Sequence, residues 1–180
     1  MSGKEVILIT GMPGSGKTTA SNLMKEKGYQ TITMGDVIRG IADARGIEPT
    51  QTNLGELAEE IRKKRGDAAV AEECFKLIEK AHSERIAIDG IRSLDEVEAF
   101  RRVFRARLVA VHSRPKIRFN RLRNRGRGDD PDTWRKFTER DRRELEFGIG
   151  SAIALADHML VNEDGIKSLR EKFDDIMEEL

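Results

Sequence analysis

The chain has 180 residues, of which 38% are hydrophobic and 36% charged, and its formal net charge is +1. This length is enough for one well-packed domain but not for two. No apolar run approaches the ~20 residues of a membrane-spanning helix, and the first apolar run begins at Val6 without the apolar core of a signal peptide. We therefore expect a cytoplasmic protein with no membrane contact.

The charges are unevenly distributed. Residues 101–143 carry 16 Lys/Arg and 5 Asp/Glu, a net charge of +11, whereas residues 144–180 carry 3 Lys/Arg and 10 Asp/Glu. A block this basic either binds nucleic acid or closes over a small polyanion. The single Cys74 cannot form an intramolecular disulfide, and the three histidines have no metal-ligand spacing.

The most informative stretch lies near the N-terminus, where a β-prone run over residues 6–10 leads directly into a glycine-rich segment and Lys17-Thr18. A strand, such a loop and a helix form a phosphate-binding P-loop, in which backbone N–H groups and the helix N-terminus surround an anion. We expect Lys17 to reach the β- and γ-phosphates of ATP and the Thr18 hydroxyl to hold the bridging Mg²⁺. The predicted nucleotide-binding residues are Gly11, Met12, Pro13, Gly14, Ser15, Gly16, Lys17, Thr18 and Thr19.

A second short strand is predicted over residues 31–34, followed by Asp36 and Arg39. Because ligands collect at the carboxyl ends of parallel strands, we interpret Arg39 as a contact to an anionic group of the acceptor, with Asp36 orienting either that arginine or a hydroxyl of the substrate. The alternative is an exposed ion pair at a helix start, with Asp36 as the N-cap. Residues 40–84 show no strand pattern and predict a helical insertion, with one helix capped by Thr52 or Asn53 and another by Asp67.

The third strand, over residues 85–89, ends in Asp89, as in a Walker B segment, where a carboxylate holds Mg²⁺. P-loop proteins that hydrolyse ATP commonly have a glutamate next, and here the next residue is Gly90. The pattern therefore favours phosphoryl transfer over hydrolysis. Arg92 follows at the same sheet edge and is a second candidate for binding the acceptor; the alternative is a solvated arginine at a helix start.

After a fourth strand over residues 108–112, Pro115 starts a helix that leads into Gly126-Arg127-Gly128-Asp129-Asp130-Pro131. Arg118, Arg121 and Arg125 share one helical face, as a clamp on phosphate requires. The glycines on both sides of Arg127 suit a lid that closes over ATP. The predicted catalytic residues are Lys17, Arg127, Arg125 and Arg121, with Arg123 as a further lid candidate.

A fifth strand over residues 157–161 and a terminal helix over residues 166–180 complete an alternation of strands and helices. The pattern predicts an α/β protein with a three-layer α/β/α P-loop NTPase fold of about five parallel strands. Within this one domain we predict a core (residues 1–39, 85–115 and 144–180), a helical acceptor-binding subdomain (about 40–84) and an arginine-rich lid (about 118–143).

Four segments together resemble the nucleoside monophosphate kinases, adenylate kinase above all: GMPGSGKT at residues 11–18, GDVIR at 35–39, DGIR at 89–92 and RGRGDDP at 125–131. The short lid is also similar to that of dephospho-CoA kinase, and the whole chain is similar to archaeal adenylate kinase-related proteins. The resemblance implies that Arg39 and Arg92 bind the acceptor phosphate, Asp89 the metal and Arg127 the γ-phosphate. It also implies that the turn at residues 162–165 lies near the adenine.

The chain departs from the adenylate kinase pattern at one motif, because Asp89-Gly-Ile-Arg92 is one residue shorter than Asp-Gly-x-x-Arg. Dephospho-CoA kinases usually have a different acidic pattern after the second strand, so Asp36 argues mildly against that acceptor.

The hypothesis is an ATP-dependent phosphotransferase that uses Mg²⁺ and a small phosphate-bearing acceptor. The alternative is a nucleotide-dependent RNA-binding or regulatory ATPase module, which we disfavour because Phe119, Trp134 and Phe137 are spaced as packing residues rather than interleaved with the arginines. A GTPase is disfavoured because the chain has no Asn-Lys-x-Asp segment.

Overall fold

The structure is a computed structural model, and it describes residues 3–127 and 130–180. Gly128 and Asp129 of the predicted lid lie outside the described residues. Within the described part, the strands are β1 (Glu5–Thr10), β2 (Gln30–Thr33), β3 (Arg85–Ile91), β4 (Arg105–His112) and β5 (His158–Val161). They form one parallel sheet in the order β2-β3-β1-β4-β5, so the predicted five-stranded architecture is confirmed.

Helices cover both faces of this sheet. They are α1 (Lys17–Glu26), α2 (Met34–Ala44), α3 (Gln51–Arg65), α4 (Ala69–Lys80), α5 (Leu94–Val103), α6 (Pro115–Arg125), α7 (Trp134–Glu146), α8 (Ile149–Ala154) and α9 (Ile166–Glu179). The short helix α8 is absent from the sequence-based prediction. Because alternate side chains of a strand point to opposite faces, β1 contributes Val6 and Leu8 to one core and Ile7 and Ile9 to the other.

The two cores differ in size. The larger core lies under α2, α3, α4 and α5 and contains Phe100, which packs edge-to-face against Phe75 at a centroid distance of 5.2 Å. The smaller core lies under α1 and α9 and includes Leu23 and Phe173. The helical insertion between β2 and β3 therefore packs on the sheet through the larger core rather than standing apart from it.

The two predicted helix caps in this insertion are wrong. Helix α3 is capped by Thr50, whose hydroxyl accepts the Asn53 N–H at 3.2 Å. Asn53 takes the third helical position, and its side chain donates to the Glu48 carbonyl at 2.9 Å. Helix α4 follows a tight backbone turn in which the Ala69 N–H donates to the Gly66 carbonyl at 3.0 Å, so Asp67 does not cap it.

Among the described helices, none is both long and apolar enough to cross a membrane.

Phe100→Ala tests the contribution of the larger core. Phe100 is fully buried, so its truncation leaves a cavity and should lower the free energy of unfolding by about 3–5 kcal/mol. Chemical denaturation measures this loss. Leu155→Ala is the control, because Leu155 is 63% exposed and its truncation should change stability little. Equal losses in the two variants would contradict this assignment of the core.

Candidate active site

The pairing of β1 with β3 brings Asp89 next to the start of the P-loop. Ile9 of β1 is in register with Asp89, and Thr10 is in register with Ile91, so the sheet has a bulge at Gly90. Gly90 adopts φ +106°, which favours glycine, and the Thr10 hydroxyl closes the bulge by donating to the Ile91 carbonyl at 2.8 Å. Arg92 is consequently the first residue after β3.

The loop between β1 and α1 has the backbone geometry of an anion-binding nest. Gly11, Gly14 and Gly16 all have positive φ values, of 147°, 79° and 108°. Space is restricted as well, because a Cβ on Gly16 would lie 2.1 Å from Nδ2 of Asn162 and one on Gly11 would lie 2.3 Å from the Val111 carbonyl oxygen. Gly16 immediately precedes α1, whose first N–H groups have no acceptor within the helix. The loop can therefore surround a phosphate with N–H donors.

Lys17 is half-buried at the start of α1, and its ammonium donates to the carbonyl oxygens of Gly11 and Met12, the latter at 3.3 Å. Burial of the charged group lowers the pKa of Lys17 to about 8, against the attraction of Asp89 and Glu144. The pKa of Asp89 is raised by burial, against the attraction of Lys17. The two groups thus attract each other electrostatically in a partly dehydrated site.

A cleft of about 410 Å³ joins the P-loop, the end of β3 and the lid region. Its lining includes most of the sequence-predicted residues: Gly11, Pro13, Gly14, Gly16, Lys17, Thr18, Thr19, Asp89, Arg92, Arg121, Arg125 and Arg127. The charged side chains of the lining are six cations, namely Lys17, Arg92, Arg121, Arg125, Arg127 and Arg140, and two carboxylates, Asp89 and Glu144. This excess of positive charge suits a polyanionic ligand.

Two predicted acceptor residues lie outside this lining. Arg39 is exposed in the first turns of α2, and its Nε donates to Asp36 at 3.0 Å. The pair is thus the exposed ion pair of the alternative interpretation. The N-cap of α2, however, is Thr33 and not Asp36. Asp36 is still near enough to Asp89 to contribute to its raised pKa.

Arg92 lies in the cleft and is held from several sides. Its guanidinium is 3.7 Å from Glu144 and 5.9 Å from the centroid of the Phe147 ring. Its backbone N–H donates at 2.8 Å to Glu96, a fully buried carboxylate that also accepts from Arg62 at 3.1 Å. The backbone of Arg92 is therefore held by α5, and its side chain lies against the C-terminal end of α7.

The predicted clamp of Arg118, Arg121 and Arg125 is wrong for Arg118. Arg118 is 4% exposed and forms a two-pronged ion pair with Asp141 at 2.8 and 2.6 Å. It also donates to the Pro13 carbonyl at 3.1 Å and lies 4.9 Å from the centroid of the Phe137 ring. Arg118 thus ties α6 and α7 to the P-loop and does not face the cleft.

Asp130 organises the lid. Its carboxylate accepts two hydrogen bonds from Arg125, one of them at 2.8 Å, the backbone N–H of Arg127 at 3.1 Å and a contact from Arg140 at 3.4 Å. The Arg125 hydrogen bond, followed by smaller contributions from Arg127 and Arg140, lowers the pKa of Asp130. Asp130 therefore holds Arg125, Arg127 and Arg140 close together at one wall of the cleft.

Sequence reasoning missed two cleft residues on α7, Arg140 and Glu144. Their spacing of four residues puts them on one helical face, but α7 contains so many alternating charges that this spacing alone could not distinguish them. It also missed the role of Asn162. Asn162 is 5% exposed, and its side chain donates to the Ser15 carbonyl at 2.8 Å.

Metal-ligand candidates are few. In the parts of the chain that the structure describes, no group of three or more His, Cys, Asp or Glu side chains is arranged to hold a metal ion. Asp89 accepts the Ser21 hydroxyl at 3.0 Å, and Thr18 is exposed at the start of α1. One carboxylate and one hydroxyl fit a Mg²⁺ that takes most of its ligands from phosphates and water.

The parallel sheet and the loop after β1 define an α/β protein with the fold of the P-loop kinases. A family model described as an AAA domain matches residues 10–138, and the chain belongs to that family. It also belongs with the UPF0200 proteins. It is 48% identical over 158 residues to one from Hyperthermus butylicus, covering 88% of this chain and 85% of that protein. It is 45% identical over 174 residues to one from Thermococcus gammatolerans, covering 93% and 90%.

Similarity to solved structures extends over nearly the whole chain and shows the fold. The structure of TT1252 from Thermus thermophilus gives a TM-score of 0.68 at 18% identity, covering 98% of each chain. Shikimate kinase from Bacteroides thetaiotaomicron gives a TM-score of 0.59 at 19% identity, covering 97% of this chain and 98% of that one. The predicted α/β P-loop fold is thus confirmed by independent structures.

The lowered pKa of Lys17 predicts that polyphosphate binding takes up protons. Near pH 8 about half of the unliganded molecules lack the Lys17 proton, and an anion in the loop favours the charged form and raises the pKa. Binding of ADP should then take up as much as about half a proton near pH 8 and less at lower pH, where Lys17 is already protonated. Calorimetry in buffers of different ionisation enthalpy measures this uptake.

Lys17→Met is the matched control, because it keeps an unbranched side chain only one atom shorter and removes the titrating group. The proton uptake should disappear in this variant. Uptake that persists, or proton release in the natural protein, would contradict the assignment to Lys17.

Proposed function

We propose that the protein transfers the γ-phosphoryl group of Mg·ATP to a small phosphate-bearing acceptor of the nucleoside monophosphate or dephospho-CoA kind. The observation that supports this most directly is the single cleft that joins the P-loop, Asp89, Arg92 and the lid arginines. Transfer of this kind depends on positioning and on neutralising charge rather than on a covalent nucleophile. The cleft supplies many cations and N–H donors for that purpose.

The donor nucleotide is proposed to bind at the P-loop. The loop N–H groups and Lys17 would hold the β- and γ-phosphates, and Thr18 and Asp89 would hold Mg²⁺ directly or through water. A Mg²⁺ held by these two residues would offset part of the negative charge of the β- and γ-phosphates. Its charge would also stabilise the ionised form of Asp89, which burial disfavours in the free protein.

The lid arginines are proposed to act on the transferring group. Arg125 is held by Asp130, and the Arg127 backbone is held by the same carboxylate, so both residues are positioned at the cleft wall. Arginines in such positions stabilise the charge that spreads over the equatorial oxygens. Gly90 puts no side-chain carboxylate beside Asp89, which supports transfer over hydrolysis.

The acceptor is proposed to bind on the opposite side of the P-loop from α6, at Arg92. Arg92 is in the cleft and oriented by Glu144 and Phe147, which supports it as the main contact to an anionic group of the acceptor. Arg39 is a secondary candidate, because it lies outside the cleft lining and is paired with Asp36.

The RNA-binding alternative receives little support from the aromatic residues of the basic block. Phe119 packs edge-to-face on Trp134 at 5.4 Å and on Phe137 at 5.6 Å, so the three rings stabilise the contact between α6 and α7. A stacking surface for bases needs several ring faces open to solvent, whereas Phe137 is buried and Phe119 half-buried, which leaves Trp134, 49% exposed, as the one accessible ring of the three.

Transfer from γ-labelled ATP, assayed against AMP, GMP, CMP, UMP, dephospho-CoA and shikimate, tests the proposed function. We expect labelled product with one phosphate-bearing acceptor and a loss of orders of magnitude in kcat for folded Lys17→Met. Shikimate, which has no phosphate, is the control acceptor. Release of free phosphate alone, or normal turnover by Lys17→Met, would contradict the proposal.

Arg92→Gln and Arg39→Gln form a matched pair that separates the two acceptor candidates. Loss of a charge-assisted contact made by Arg92 should raise KM for the acceptor by about tenfold or more, with KM for ATP little changed. Arg39→Gln should have the smaller effect, because Arg39 lies outside the cleft lining and is ion-paired with Asp36. Steady-state kinetics with the acceptor found in the transfer assay measures both changes in KM. A larger rise for Arg39→Gln than for Arg92→Gln would contradict binding of the acceptor at Arg92.

A further inference from the structure

The carbonyl oxygen of Ser15, inside the P-loop, is surrounded by side-chain donors from two distant parts of the chain. Nδ2 of Asn162 donates to it at 2.8 Å, the guanidinium of Arg121 at 3.2 Å, and the hydroxyl of Ser113 is 3.1 Å away. Ser15, Ser113 and Asn162 are almost fully buried. We refer to Ser113, Arg121 and Asn162 as the carbonyl clamp.

The three side chains of the carbonyl clamp also hold one another. Arg121 donates to the Ser113 hydroxyl at 2.9 Å, and to Oδ1 and the backbone carbonyl of Asn162 at 3.2 and 3.0 Å. The Ser113 hydroxyl in turn contacts the Asn162 carbonyl. The Asn162 amide thus presents its oxygen to Arg121 and its NH₂ group to Ser15, which is the only orientation that satisfies both contacts.

Arg121 meets only neutral oxygens in these contacts, and burial lowers its pKa. A guanidinium with both NH₂ groups occupied in this way has limited freedom to follow a moving phosphoryl group. Its contacts instead connect α6 to the P-loop and to the turn after β5.

The position of the Ser15 carbonyl determines the direction of the next N–H group. In a trans peptide the C=O of one residue and the N–H of the following residue point in opposite directions within one plane. Holding the Ser15 carbonyl on the protein side therefore turns the Gly16 N–H away from the clamp. Gly16 directly precedes Lys17 and α1, where the phosphates are proposed to bind.

We propose that Ser113, Arg121 and Asn162 are positioning residues for the phosphate site, because by holding the Ser15 carbonyl they aim the Gly16 N–H at the bound polyphosphate. This inference rests on the part of the proposed function that puts polyphosphate in the P-loop. It assigns Arg121 an indirect role, and it assigns Asn162 a role on the phosphate loop rather than at the adenine.

Asn162→Asp is the most specific variant, since it keeps the shape of the side chain and replaces the NH₂ donor by an oxygen that repels the Ser15 carbonyl. The new carboxylate lies next to Arg121, so the variant gains an ion pair that supports the local fold. Ser113→Ala removes one hydroxyl from the same clamp. Asn22→Asp, on the exposed side of α1, is the control for the added charge.

Binding of tripolyphosphate and of ADP, both without divalent cations, is the measurement. Tripolyphosphate has no base or ribose and therefore reports on the phosphate loop alone. Asn162→Asp should weaken both ligands by the same factor, about tenfold, and Ser113→Ala by a smaller common factor of about threefold, from the usual value of a hydrogen bond. The shift of the Gly16 amide resonance on adding tripolyphosphate should shrink in parallel, and Asn22→Asp should bind as the natural protein does.

Two outcomes would overturn the proposal. Weaker ADP binding with unchanged tripolyphosphate binding would place Asn162 at the base, and unchanged binding of both ligands would leave the carbonyl clamp a purely structural feature. Should Asn162→Asp unfold, Ser113→Ala decides between the same outcomes. No acceptor is needed for these measurements, so a failure of the proposed transfer reaction would be seen separately, in the assay with labelled ATP.

Discussion

The hydrogen bonding of β1 between β3 and β4 is the constraint on which the candidate site depends. Each pairing is parallel and in fixed register, so the carboxyl ends of three strands that are distant in sequence meet at one edge. One of these ends leads into the P-loop, one contributes Asp89, and one leads through Ser113 into the arginine-rich helix α6. A change of register between β1 and β3 would separate Lys17 from Asp89, and a change between β1 and β4 would separate the P-loop from α6.

The unliganded cleft holds charge at an energetic cost. Lys17 and Asp89 are both shifted by burial toward their neutral forms, and their mutual attraction offsets this only in part. The surrounding arginines add further positive charge, although two of them, Arg125 and Arg140, are paired with Asp130. A magnesium polyphosphate would supply the missing negative charge at the P-loop and a cation beside Asp89. Ligand binding is thus expected to relieve electrostatic strain that the fold itself maintains.

Local patterns in the sequence predicted the sheet and the P-loop, because alternating burial and glycine spacing are properties of short segments. They predicted less about the lid. Arg118, Arg121 and Arg125 are equivalent by helical spacing, and what separates them is the partner that each meets: Asp141 from α7, the Ser15 carbonyl and Asp130. The partners of Arg118 and Arg121 lie 23 and 106 residues away in the chain, so no local rule could assign them. The bulge at Gly90 is a similar case, since it depends on pairing with β1 and sets the direction of Arg92.

The different partners of these arginines imply that residues of one basic helix have different roles. Arg118 is paired with Asp141 and donates to the Pro13 carbonyl, and Arg121 donates to the Ser15 carbonyl. Both arginines therefore hold the backbone of the P-loop. Arg125 is held by a carboxylate at the wall of the cleft, where a phosphate can compete for the same guanidinium. The net charge of the segment is therefore larger than the charge available to a ligand. The remaining arginines hold the site in shape through contacts within the protein. A basic segment of this kind is better suited to enclosing a small polyanion in a preformed loop than to following an extended nucleic-acid backbone.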